Sequence, residues 1–162
     1  MSQPPNTLPI IRELGEVDAE WMASLHSKAF AWHQRWDALA IRSLMAKPTT
    51  LSTGIAINNA WAGFIMTSFV VGESEILTIA IEPTQQRKGY AKLLIETFIA
   101  QQKSNGLEKI FLEVIETNIP AIKLYQSLGF SIISKRANYY AMPQGHEKQM
   151  VDALVLSKQL IG

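Results

Sequence analysis

The sequence predicts an α/β (α+β) domain, one mixed and mostly antiparallel central sheet flanked by helices. Three observations predict it. Apolar, β-branched runs of strand length recur on both sides of the middle of the chain, as in Leu51–Ile57, Trp61–Val70 and Val151–Leu156, and such runs fit half-buried strands. Between them, Ala91, Leu94, Ile95, Phe98 and Ile99 fall on the i, i+3, i+4, i+7, i+8 spacing of a helix face. Ile122, Tyr125 and Gly129 also sit on helical spacing. Each helix follows directly on a strand candidate, so the order is strands, helix, strand, helix, strands.

Taken in order, the Pro-rich residues 1–7 read as a loose tail and Leu8–Leu14 as a short first strand. Asp18 is placed to cap a helix whose apolar stripe is Trp21, Met22, Leu25 and Phe30. A second short helix spans Trp36–Met45 and is closed by Lys47-Pro48. Asn58-Asn59 between two strand candidates is a hairpin signal, and Gly72 marks the next turn. Glu75–Ile81 is the following strand, and Asn105-Gly106 ends the helix after it. Phe111–Val114 is a buried strand carrying one carboxylate, Glu113. Asn118 can cap the next helix, with Pro120 in a first turn where a missing N–H costs nothing, and Gly129 stops it in a left-handed conformation. Ser131–Ser134 is a strand leading to Asn138-Tyr139-Tyr140, Pro143-Gln144-Gly145 a turn, and Val151–Leu156 the last strand.

At 162 residues, 48% hydrophobic and 18% charged, the chain suits one folded domain with a full core, residues 1–162. A net charge of +1 provides no global field toward nucleic acid or an anionic membrane. The absence of cysteine removes disulfides, thiolate nucleophiles and Cys-based metal sites. No apolar run approaches the ~20 residues of a membrane span. The start, Met-Ser-Gln-Pro-Pro-Asn-Thr, lacks the basic and apolar regions of a signal peptide, so a cytoplasmic protein is expected. His26, His33 and His146 lack ligand-like spacing and no metal is expected, while Trp21, Trp32 and Trp36 read mainly as core.

The loop Gln86-Arg87-Lys88-Gly89-Tyr90-Ala91 joins a strand to a helix. Free N–H groups and the positive end of a helix dipole face outward at such a junction, which makes it an anion site. Considered alone, Glu113 is a solvated strand-end residue and Tyr125 a core residue with a wet hydroxyl.

Together and in this order, Gln-x-x-Gly-x-Ala at Gln86–Ala91, Leu112-Glu113-Val114 and Leu124-Tyr125-x-x-x-Gly129-Phe130 change that reading. The chain resembles the acetyl-CoA-dependent N-acetyltransferases of the GNAT superfamily. The resemblance implies acetyl-CoA as cosubstrate, its pyrophosphate on the loop of Arg87, Lys88, Gly89, Tyr90, Ala91 and Lys92. It also implies a strand, Ile79, Ala80 and Ile81, that splays from its neighbour and offers N–H groups to the thioester arm. Asn118 would add a cofactor contact to its capping role. Glu113 would be the general base, through a water, and Tyr125, with a phenol pKa of about 10, the proton donor to the thiolate.

Within the superfamily the chain is similar to the bacterial ribosomal-protein-alanine N-acetyltransferases, through Ala29-Phe30 with Trp32 nearby, the segments above, Arg136-x-Asn138-Tyr139-Tyr140 and Asp152-Ala153. That similarity implies a protein N-terminus as acceptor, the Ala of a small-subunit ribosomal protein. The chain departs from that family at Ala31 (usually Pro), Ile115 (often Arg) and Val151 (commonly acidic), all around the expected acceptor cleft. A lysine or small-amine acetyltransferase and a non-catalytic acetyl-CoA-binding module are the alternatives.

Overall fold

The computed structural model describes residues 8–31 and 34–160. The tail, Trp32 and His33 lie outside the described residues. Among those described, the strands are β1 (Ile10–Glu13), β2 (Thr50–Ile57), β3 (Ala60–Val70), β4 (Glu73–Ile81), β5 (Lys109–Ile115), β6 (Ser131–Gln144) and β7 (Glu147–Gln159). The α-helices are α1 (Ala19–Ala29), α2 (Ala38–Met45), α3 (Tyr90–Lys103) and α4 (Ile119–Ser127). The seven strands form a sheet in the order β1-β2-β3-β4-β5-β7-β6. β1–β2, β2–β3, β5–β7 and β6–β7 pair antiparallel, and β4–β5 pairs parallel. A parallel pair needs a crossover connection, and α3 lies in it. No helix among the described residues is long and apolar enough to cross a membrane.

The chain groups into two compact units. One comprises the chain up to Ser68 with Leu77–Ala100; the other comprises Phe69–Ile76 with the chain from Gln101 onward. In the first, Leu14, Ala19, Met22, Leu25, Ile41, Phe64, Met66 and Ala80 form a buried cluster. Trp21 and Trp61 stack at 4.5 Å beside it, with the Arg12 guanidinium over Trp61. In the second, Ile110, Leu112 and Val114 of β5, Ile122 and Tyr125 of α4, and Ala153 and Leu156 of β7 are buried.

Several local expectations hold. Asn58 and Asn59 both have positive φ, +51° and +63°, the geometry a two-residue hairpin turn requires. Asn118 caps α4 by accepting from the Ala121 N–H at 3.3 Å, and Gly129 ends it at φ +90°.

Others are corrected. β1 is shorter than Leu8–Leu14. Asp18 precedes α1 but does not cap it: its carboxylate accepts from the Gly15 N–H at 2.9 Å, the Trp21 indole at 2.9 Å and Arg12 at 3.2 Å. It thereby closes the one-turn 3-10 helix Glu16–Asp18 that leads into α1. Phe30 is extended rather than helical, which frees its ring to stack on His26. α2 starts after Trp36 because Asp37 is its cap, accepting from the Ala40 N–H at 2.8 Å. Pro143 and Gln144 belong to β6, and the turn is Gly145-His146. β6 is a sheet edge, where a residue without an N–H is tolerated.

Candidate active site

The first unit carries the loop that joins β4 to α3, the candidate anion cradle. The Gln86 side chain donates to the Ile81 carbonyl at 3.1 Å, fastening the loop to the end of β4. Arg87 and Gly89 then take positive φ, +62° and +85°. The Gly89 carbonyl accepts the first helical bond, from Leu93 at 3.0 Å. The N–H groups of Tyr90, Ala91 and Lys92 therefore open α3 without an intrahelical acceptor. A Cβ built on Gly89 would meet nothing within 4 Å, so the loop is open at that point. Arg87, Lys88 and Lys92 are exposed around it. Three cations, free N–H groups and a bare glycine fit a phosphate-bearing ligand.

Behind the cradle, Ala80 and Ile81 are buried and Ile79 is half-buried. Gly63 of β3 faces them so closely that a Cβ there would stand 2.8 Å from the Ala80 carbonyl oxygen and 2.5 Å from Ile81 Cδ1. β3 is bulged just before this point, since Ile55 pairs with Gly63 but Ala56 with Trp61. The sequence reading missed Gly63; its signal was a lone glycine inside a strand pattern.

The second unit carries the carboxylate. The β4–β5 ladder runs from Glu73↔Lys109 to Ile76↔Leu112, and Glu113 is the next residue of β5. Its side chain is 19% exposed, with Oε1 3.0 Å from Arg136 Nη1 of β6. Arg136 also lies over the Tyr139 ring at 5.1 Å. Tyr140 has its phenol pKa pushed up by burial first, then by the charges of Glu113 and Tyr139. The Glu75 carboxyl is pushed up by burial first, then by the charge of Glu113, with Arg136 opposing.

A bulge brings Arg136 and Tyr140 to this face. Arg136 pairs with Ala153 and Tyr140 with Val151, so three residues of β6 oppose Asp152 alone. Asn138, at φ +52°, donates its N–H to Asp152 at 2.8 Å. That hydrogen bond, followed by the one from Lys135, holds the Asp152 carboxyl below the usual range. Lys135 bridges Asp152 at 3.0 Å and Glu116 at 3.2 Å. The sequence reading quoted Arg136 and Asp152 without assigning them roles, because hairpin register and bulge are invisible to spacing along the chain.

Tyr125 is 7% exposed on α4, edge-on to Phe130 at 5.8 Å. Burial pushes its phenol up to about 12, above the ordinary value that the sequence reading assumed. Asn118 is exposed, its side-chain oxygen engaged as the cap. His26 is core, 1% exposed, and among the described residues no group of three or more His, Cys, Asp or Glu is arranged to hold a metal.

Residues 14–130 match the Acetyltransferase (GNAT) family. The chain is 32% identical over 154 residues to the ribosomal protein bS18-alanine N-acetyltransferase of Salmonella typhimurium, covering 94% of this chain and 99% of that one. The crystal structure of the ribosomal-protein-S18-alanine N-acetyltransferase from Escherichia coli superposes with a TM-score of 0.86 at 28% identity, over 96% of this chain and 97% of that one. Arabidopsis thaliana NAA60 in complex with acetyl-CoA has the same fold, with a TM-score of 0.80 at 18% identity over 96% and 100% of the two chains. The chain is an acetyltransferase of the GNAT family.

Proposed function

We propose that this enzyme transfers the acetyl group of acetyl-CoA to the N-terminal α-amine of a protein, the Ala of a small-subunit ribosomal protein. The observation that carries the reading is near full-length similarity, 32% identity over 94% of this chain and 99% of its relative, to an enzyme named for that acceptor. Arg87, Lys88 and Lys92, with the N–H groups from Gly89 to Lys92, hold the pyrophosphate. Ile79, Ala80 and Ile81 line the thioester arm, where a fixed N–H aimed at the developing oxyanion is worth a few kcal/mol, about 3. Asn118 contacts the cofactor from the start of α4.

Glu113 takes the proton from the incoming amine through a water. An α-amine, with a pKa of about 7.7–8.0, costs roughly 1–1.4 kcal/mol to deprotonate at pH 7; a lysine, near 10.4, costs roughly 4.6 kcal/mol. One carboxylate already tied to Arg136 at 3.0 Å suits the smaller task. Tyr125, with a pKa of about 12, stays protonated and serves the departing sulfur as a hydrogen-bond donor. Complete proton transfer to a thiolate, whose thiol ionises near 8.5, would run uphill.

The test is a competition between a peptide beginning with Ala and the same peptide N-terminally blocked and carrying an internal lysine. The Ala peptide is the expected acceptor. Preference for the lysine peptide would replace this reading with a lysine acetyltransferase. Acetyl-CoA binding without transfer to any amine would leave a binding module.

A further inference from the structure

Acetyl transfer by Glu113 and Tyr125 leaves Arg136 without work, yet the sheet is built to carry its side chain to Glu113. Glu113 pairs with Val155 of β7 and Ile115 with Ala153, and Ala153 pairs on its other side with Arg136 of β6. Registered residues share a sheet face, and alternation puts Glu113 and Ile115 on one. Arg136 and Glu113 therefore line the same face with β7 between them. Strands two apart in a sheet are separated by about 9–10 Å, a gap that only long side chains close. Arg136 closes it, with Nη1 3.0 Å from Glu113 Oε1. The residue opposite it on β7, Ala153, carries only a methyl group and leaves the way clear.

The root of that side chain is held on both sides. The Asp152 carboxylate pairs with Lys135 at 3.0 Å and accepts from the Asn138 N–H at 2.8 Å, so one group fastens β6 before and after Arg136. The Tyr139 ring lies under the guanidinium at 5.1 Å. Glu113, for its part, has a neighbour of its own sign. Glu75 of β4 is registered with Phe111 and is thereby a diagonal neighbour of Glu113 on this face, and the two charges repel. Arg136 is the cation that acts on both carboxylates.

We propose that Arg136 is a positioning residue for acetyl transfer: its ion pair with Oε1 fixes the Glu113 carboxylate and leaves Oε2 for the water that relays the proton of the amine. This rests on the reading of Glu113 as the base. Arg136 touches neither substrate and acts through Glu113 alone. Misplacing a catalytic group by about 1 Å can cost about 10²-fold in rate. A carboxylate released from its partner still visits the productive rotamer part of the time, so the expected cost is about tenfold.

The experiment is a double-mutant cycle on the single-turnover rate with saturating acetyl-CoA and Ala peptide. Its members are wild type, Arg136→Met, Glu113→Gln and the double variant, with KM for the peptide and CoA affinity measured alongside. Arg136→Met should slow turnover about tenfold while KM and CoA affinity stay within about twofold of wild type. In the Glu113→Gln background, where no base is left to position, the same substitution should change the rate by less than about twofold. An equal loss in both backgrounds would make Arg136 structural and overturn the proposal. So would a wild-type rate in Arg136→Met, or a raised KM with the rate unchanged, which would make Arg136 an acceptor-binding residue. If Glu113→Gln alone is as fast as wild type, the reading of Glu113 as the base fails first and the proposal falls with it. An enzyme that ignores the Ala peptide but acetylates another amine refutes the acceptor alone, and the same cycle on that amine decides Arg136.

Discussion

Acidification from pH 7 to pH 4 should strip about 3 kcal/mol from the stability of the enzyme through a single imidazole, His26. The ring is 1% exposed, stacked on Phe30 at 4.1 Å and Trp36 at 5.3 Å. The Trp36 backbone N–H donates to Nδ1 at 3.2 Å, so the neutral ring carries its proton on Nε2, which faces Thr78 Oγ1 at 3.2 Å. Protonating Nδ1 would set donor against donor and place a charge on a ring that is buried away from solvent. Burial accordingly holds the pKa down to about 4, from an ordinary 6.5. The sign follows. Below pH 6.5 the unfolded chain binds a proton that the folded chain refuses until about 4. The His26 contribution is therefore complete above 6.5 and is lost as pH falls from 6.5 to 4. A difference of about 2.5 pKa units at 1.36 kcal/mol each gives about 3 kcal/mol, or roughly 6–12 °C in Tm for a chain of this size. Because carboxylates titrate in the same window, the assay is urea unfolding of wild type and His26→Phe in parallel across pH. The variant should be less stable at pH 7, where it leaves the Trp36 N–H and the Thr78 hydroxyl unpaired. That gap should close by about 3 kcal/mol at pH 4. Parallel curves would show that His26 titrates alike in both states and would refute the reasoning.

Three further substitutions probe the site. Gly89→Glu places a strained side chain at φ +85° and a negative charge where the loop is open, just before α3; calorimetry should show a large loss of acetyl-CoA affinity in a folded protein, and unchanged affinity would move the phosphate site elsewhere. Tyr125→Phe keeps the ring against Phe130 and removes the hydroxyl, so turnover should fall about 10²-fold or more with little change in CoA affinity; near wild-type turnover with chemistry rate-limiting would leave Tyr125 a packing residue. Gly63→Ala drives a methyl into the Ala80 carbonyl and Ile81, and should destabilise by about 1–3 kcal/mol in urea unfolding; an unchanged midpoint would mean that β3 moves aside freely.

What the sequence made legible divides along physical lines. Features that depend on one residue's own conformational preference were readable: the Asn58-Asn59 turn, the Asn118 cap and the Gly129 stop all appear in the structure. Asp18 and Asp37 show the limit. Both are good caps, and the choice between capping a helix and closing the turn before it was made by Gly15, Trp21 and Arg12, which composition does not rank. The long β6–β7 hairpin was read as two short strands, because its solvent-exposed distal half has no apolar alternation to signal it. Glu113 and Tyr125 were named from motif order, while the ion pair that Arg136 makes with Glu113 became visible only once strand register was known. Spacing along a chain does not encode which residues meet across strands.

The central claim, acetylation of a protein N-terminus with Glu113 at the amine, is tested most directly by mass spectrometry of protein N-termini. The comparison is between cells carrying the gene, cells lacking it, and deleted cells complemented with wild type or Glu113→Gln. The account predicts that deletion leaves an Ala N-terminus of a small-subunit ribosomal protein unacetylated, that wild type restores it, and that Glu113→Gln restores it poorly. An acetylated Ala N-terminus in the deleted cells, with the loss appearing instead on lysine side chains or small amines, would contradict it.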